Sequence, residues 1–159
     1  RSTLFPYTTL FRSLAEEPGS SSYEGRGATA MSSIVMSTWG KETTLEVSFD
    51  LLDDERVSSL QAYALGAIFV SWGSVNGALD ALRSYCLEHN GDMLASECGT
   101  ARIDDIFDVV EPYSLFVVRN DSKRSVALMC HYRLDPEHGL ALLFENERLT
   151  QIGPEDIAF

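Results

Sequence analysis

The segment HYRLDPEHG, residues 131–139, gathers His131, Arg133, Asp135, Glu137 and His138 in one short stretch. Two imidazoles and two carboxylates beside one turn can in principle hold zinc or act as a general acid and base pair. A plainer reading accounts for the same residues. Asp135-Pro136 initiates a turn and Gly139 relieves the backbone at its exit, so turn chemistry explains Asp135, Glu137 and His138 without a ligand. His131 and Arg133 then fall at the end of a strand, on its second face. The role expected for this set is contact with a partner, joined by the apolar Phe116 and Met129 of the same face.

Other assemblies are weaker. Cys86, His89, Cys98, Cys130 and His131 can be drawn together as a zinc site, but nothing in their spacing fixes their proximity, and a buried free cysteine commonly behaves as a small hydrophobe. The chain has no GxSxG, no GxxxxGK[ST], no GxGxxG after a strand and no HExxH. No catalytic residue, metal ligand set or cofactor is therefore expected.

The elements that must position these residues can be read from periodicity. From Tyr113 to Ile152, runs rich in β-branched and aromatic residues are broken by Asn, Asp, Pro, Gly and Glu, the pattern of an antiparallel meander of four strands. A turn over 120–123 sets Val117 opposite Val126 and Leu115 opposite Leu128. A turn over 134–138 sets Cys130 opposite Leu142 and Leu128 opposite Phe144. One face then carries Leu115, Val117, Val126, Leu128, Cys130, Tyr132, Leu140, Leu142, Phe144 and Leu149 as the core. The other carries Phe116, Val118, Ala127, Met129, Ala141, Leu143 and Ile152. That second face is too apolar to be bare; either the strand from Thr43 or the loop near Met93 crosses it, or it is an interface, including one with a second copy.

Upstream, TTLEVSFDLL alternates as a half-buried strand over 43–51 expected to join the sheet. Asp53 and Asp54 are placed to cap a helix over 55–71, and Ser74 a second over 74–90 ended by Asn90-Gly91, the two forming a hairpin against the core face. Residues 91–100 read as loop. Ile103, Ile106, Phe107 and Val110 keep helical spacing over 101–110, stopped by Pro112, with Asp104, Asp105, Asp108 and Glu111 on the outer side as a solvated acidic face. The sum is an α+β domain: an antiparallel sheet of about five strands, a helical hairpin and one short helix.

Residues 1–13, RSTLFPYTTLFRS, resemble the translation of a sequencing-library adapter, and 14–30 have no apolar periodicity. The domain is accordingly expected over 31–159, starting at Met31 or Met36. Net charge is −12 with or without residues 1–30, which contain equal numbers of acids and bases. Such a charge repels phosphate backbones and anionic lipid, arguing against nucleic acid and membrane and in favour of a basic protein partner. Three cysteines with no CxxC pair fit a reducing compartment, and no apolar run reaches membrane-spanning length, so a cytoplasmic location is expected.

The C-terminal stretch from Asp135 to Ile157 resembles the closing segment of a family of small uncharacterised bacterial domains: a DxEHG turn, an apolar strand, a polar two-residue turn and a final GPxDI. Weaker similarity extends over Ile103 to Val110 and Ser114 to Arg119. The resemblance implies a bacterial domain of unknown function, and families of this size and acidity include some that resemble immunity proteins, which block a toxin. Asn146-Glu147 stands where a tighter hairpin has Asn-Gly, implying a looser last turn. A protein-binding module is the leading expectation. A small enzyme or ligand-binding domain using His131, Arg133 and His138 is the alternative.

Overall fold

The computed structural model of the chain describes residues 27–159, so the adapter-like segment lies outside the described residues. Among these residues six strands form one sheet in the order in which they occur: β1 Gly27–Thr38, β2 Lys41–Leu51, β3 Val110–Val117, β4 Ser125–Tyr132, β5 Leu140–Glu145 and β6 Arg148–Gly153. All neighbours are antiparallel except β2 and β3, which run parallel over Glu46–Phe49 and Ser114–Val117. Helices α1 Ser59–Val70, α2 Trp72–Asn76 and α3 Leu79–Cys98 make the crossover between those two strands, as a parallel pair requires. The class is α+β, with six strands rather than five and a mixed sheet.

The extra strand is β1. The runs SSIVMST and KETTLEVSFDL flank Trp39-Gly40, both at positive φ (51° and 84°), which is a two-residue hairpin turn whose twist suits the strands. Trp39 tolerates that backbone because it is pinned: its amide donates to Asn76 Oδ1 (2.7 Å) and its indole N–H to the Val75 carbonyl (2.9 Å). The domain boundary expected at Met31 falls inside β1, whose first residues come from the stretch read as leader.

The helices sit where expected, with shifted ends. Ser58, not Asp53 or Asp54, caps α1: Ser58 Oγ accepts from the Gln61 amide and Gln61 Oε1 accepts from the Ser58 amide, a reciprocal capping box. Asn90-Gly91 does not end the second long helix. It kinks it at Asn90 (φ −133°), and the chain stays helical to Cys98, where Gly99 at φ 67° supplies the left-handed cap. The expected loop over 91–100 is therefore mostly helix. The kink is held in place, because Asn90 Oδ1 accepts from the buried Tyr132 hydroxyl (3.0 Å).

The helix expected over 101–110 is absent. Only a 3-10 turn, Ile106–Asp108, forms there, capped by Asp105 Oδ1 on the Phe107 amide (3.0 Å), and Val110 already belongs to β3. Pro112 does not terminate a helix; it lies in β3 next to a bulge, a position that tolerates its missing N–H.

Side-chain parity holds through the meander. Val117 pairs with Val126 and Leu115 with Leu128 as expected, whereas Leu128 pairs with Leu142 and Val126 with Phe144, a shift of two residues from the expected second register. An even shift leaves every side chain on its face, so the core set survives intact. Ile152 is the exception. A bulge beside Leu143 and Phe144 puts it opposite Leu142, on the core face. That core also takes Leu45, Val47 and Phe49 of β2 with Ala64, Leu65, Ile68, Phe69, Val75, Leu82, Cys86 and Leu94 of the helices.

The second face is closed by the C-terminus. A 3-10 turn, Glu155–Ala158, lays Ile157 and Ala158 on Phe116, Ala127, Met129 and Ala141, and the Phe159 ring stands 5.0 Å from that of Phe116. Neither the strand from Thr43 nor the segment near Met93 does this; β2 is a member of the sheet and Met93 lies on α3.

The Asn146-Glu147 turn is tight, not loose. Both residues have positive φ (48° and 64°), and Glu147 is held by a two-pronged pair with Arg124 (2.6 and 2.8 Å). Arg124 holds the Glu147 carboxyl below its usual range, so this contribution to stability is present above the unfolded carboxyl's pKa and fades as pH falls through the folded one. Glu147→Gln is expected to lower the urea midpoint at pH 7, with the difference from the parent shrinking as the pH is taken below about 4; a gap that stays constant down to acid pH would refute the assignment.

Gln61 is 3 % exposed and its amide donates to the Asp50 carbonyl (2.9 Å) and reaches that of Val117 (3.5 Å), one from each strand of the parallel pair. Gln61→Leu removes both bonds together with the side-chain half of the Ser58 cap, and chemical denaturation should show a loss of about 1–3 kcal/mol.

Candidate functional site

A cleft of about 460 Å³ opens at one end of the sheet, between the 3-10 turn at Ile106–Asp108 and the β4–β5 connection. Its floor and walls bring together Asp108, Glu111, Tyr113, His131, Arg133, Glu137 and Glu155. Three of the five residues singled out in HYRLDPEHG, namely His131, Arg133 and Glu137, line it. Asp135 and His138 do not; they bond to each other across the turn, Nδ1 to Oδ1 at 2.9 Å. Phe116 and Met129 are also outside it, buried at 3 % and 4 % exposure beneath the C-terminal turn, which removes them from any docking surface.

Each wall has a local cause. The β3–β4 pairing sets Glu111 directly across from His131, and the bulge that follows Pro112 falls at Tyr113, whose ring stacks on the His131 imidazole (4.2 Å between centres, 13° between planes). Asp108 comes from the 3-10 turn. Thus two members of the expected solvated acidic face, Asp108 and Glu111, become cleft carboxylates once the helix is replaced by a turn and a strand.

Glu155 is the residue that sequence reasoning missed. Its amide donates to the His138 carbonyl (3.1 Å) and its Oε1 accepts from the Tyr113 hydroxyl (2.8 Å). Gly139, at φ 61°, makes room for it: a Cβ there would meet the Glu155 carboxyl at 2.6 Å. The DPEHG turn and the GPEDI terminus, separate in sequence, are thereby latched together. Burial, and then the Glu155 hydrogen bond, push the Tyr113 hydroxyl well above the ordinary tyrosine range, so it acts as a neutral donor.

The cleft is electronegative, with four carboxylates against Arg133 and His131. Among the described residues, no three His, Cys, Asp or Glu side chains cluster so as to hold a metal ion, and the five residues drawn as a zinc site do not come together. Cys86 and Cys130 are buried, and burial raises both thiols, which keeps them protonated and poor nucleophiles. Among the described residues, no single helix is long and apolar enough to cross a membrane.

A family model described as Domain of unknown function (DUF6985) matches residues 19–159, and the chain belongs to that family. No curated protein and no solved structure matches the chain.

The Asp135 carboxylate beside His138 raises the imidazole above its ordinary value, the hydrogen bond being the larger cause and the charge the second. The pair is strongest when His138 is protonated, so it weakens as pH rises through that raised value. NMR titration should place the His138 midpoint above 6.5 and return it toward 6.5 in Asp135→Asn; equal midpoints in the two proteins would contradict the pairing.

Proposed function

We propose that this chain is a protein-binding module that takes a basic segment of a partner into the cleft beside the β4–β5 hairpin, in the manner of an immunity protein holding a basic toxin in the bacterial cytoplasm. The observation that carries the reading is the lining: Asp108, Glu111, Glu137 and Glu155 converge on one concavity in a chain of net charge −12. A cleft lined mainly by one sign of charge concentrates the opposite sign and speeds its encounter. The stacked Tyr113 and His131 rings add a flat surface of the kind on which a guanidinium rests.

An arginine-rich peptide and a glutamate-rich peptide of equal length serve as probes in titration calorimetry. The arginine peptide should bind and the glutamate peptide should not. Glu111→Gln combined with Glu137→Gln, which leaves the Glu155 latch untouched, should weaken it about tenfold, or about 1.4 kcal/mol. Equal binding of both peptides, or unchanged affinity in the double variant, defeats the proposal.

The same cleft also supports a second reading, a small-ligand or enzymatic site centred on His131 and Arg133, with His138 outside it. The Glu155–Tyr113–His131 array favours it, since it sets a neutral hydroxyl donor beside an imidazole.

A further inference from the structure

We infer that the cleft takes the carboxyl-terminal residue of a partner chain, an arginine whose guanidinium lies on the Tyr113–His131 stack while its α-carboxylate meets Arg133. The inference deepens the reading of the cleft as a site for a basic segment and rests on it. What it adds is a second charge, of opposite sign, on the same residue.

Arg133 is the observation behind it. A cleft that takes cations alone gains nothing from a guanidinium in its wall, since like charges repel there as strongly as unlike ones attract. Nor is Arg133 taken up by the carboxylates. Among the described residues its guanidinium makes no hydrogen bond or ion pair, although Asp108, Glu111 and Glu137 line the same cleft. Its backbone, by contrast, is fixed: the Arg133 amide donates to the Val109 carbonyl (2.9 Å), which carries the β3–β4 pairing one residue past the end of β4. Exposure alternates accordingly, with His131 and Arg133 exposed and Tyr132 and Leu134 buried in the core. His131 and Arg133 therefore share a face, about 7 Å apart along the strand.

That spacing separates a cation subsite from an anion subsite. Glu111 sits directly across from His131 and Tyr113 stacks on its ring, so a carboxylate and an aromatic surface meet at this point. The next residue of the face, Met129, is buried under the C-terminal turn, and Glu155 of that turn bonds the Tyr113 hydroxyl. The C-terminal turn thus closes one end of the cleft, and Arg133 stands at the other. A guanidinium laid on the stack finds the flat face that suits it better than an ammonium. One strand repeat away, an extended arginine residue presents its own α-carboxylate to Arg133, which can grip it through two parallel N–H donors. Size agrees: about 460 Å³ falls in the range of small-ligand clefts, about 300–1,000 Å³, and admits the end of a chain.

Titration calorimetry with one arginine-rich peptide, prepared as the free acid and as the carboxyl-terminal amide, tests this. The free acid should bind about fivefold more tightly, the scale of an exposed charge pair with good geometry. Summed charge predicts the reverse, because the amide is the more cationic of the two. In Arg133→Gln the preference should disappear, and the amide should bind no more weakly than to the parent, since a repelling charge has gone. Circular dichroism checks the fold of that variant, and the comparison of acid and amide on the parent stands without it. A third probe, the amide with one glutamate added after the last arginine, should bind no better than the plain amide. Binding of that probe equal to the free acid's would assign the carboxylate to a side chain and overturn the inference, as would a preference that persists in the folded variant. An amide that binds the parent as tightly as the acid overturns it too, yet leaves the basic-segment reading intact; a parent that binds neither arginine peptide overturns both.

Discussion

The parallel joint between β2 and β3 is the constraint on which the rest of this structure depends. It spans only Glu46–Phe49 and Ser114–Val117, yet it unites the β1–β2 hairpin with the four-strand meander. Parallel pairing requires a long crossover, and here the crossover is the helical layer that covers the core. The joint is pinned by polar groups buried with it. Gln61 completes the cap of α1 and reaches carbonyls on both strands, while Ser114 Oγ donates to the Glu46 carbonyl (3.0 Å). One side chain therefore ties the start of a helix to the seam of the sheet, and the interior placement makes its hydrogen bonds costly to lose.

From that seam the cleft follows. β3 is held in register by β2 on one side and β4 on the other, so Glu111 and Tyr113 arrive opposite His131 with little freedom. The C-terminal turn then closes two surfaces at once. Its apolar residues Ile157 and Ala158 cover the second sheet face, and its acidic residue Glu155 reaches back to Tyr113 and the β4–β5 turn. Packing of that face and assembly of the adjoining cleft are thus coupled through a few terminal residues, with Tyr113 shared by both. The electronegative lining is a consequence of where the backbone is taken, since the carboxylates come from a 3-10 turn, a strand, a hairpin connection and the terminus.

Much of the architecture was legible because it is written in local periodicity. Alternation in TTLEVSFDLL and through the meander places side chains on one face or the other, and parity is insensitive to even errors in register, as the Leu128 and Leu142 pairing illustrates. The Ile103–Val110 stripe misled for the same reason that it was noticed. Spacing of three and four residues is compatible with a helix, but Val110 gains more by pairing with Tyr132 in the sheet, and a bulge removes the objection raised by Pro112. Asn90-Gly91 misled in a similar way, because the Tyr132 hydroxyl satisfies Asn90 and lets the helix continue past its kink.

The residue order by itself determined the class of fold, the core faces of β2 and the meander, the helical layer, and the acidity of the chain; these depend on neighbours in sequence and on summed charge. Only the tertiary structure decided that β1 completes the sheet, that the C-terminus covers Phe116 and Met129, and that Glu155, Tyr113 and His131 share one cleft while Asp135 and His138 turn to each other. Those outcomes join residues far apart in the chain. No periodicity carries information about which distant segments meet, and that is settled by which arrangement leaves the fewest apolar faces and backbone groups without partners.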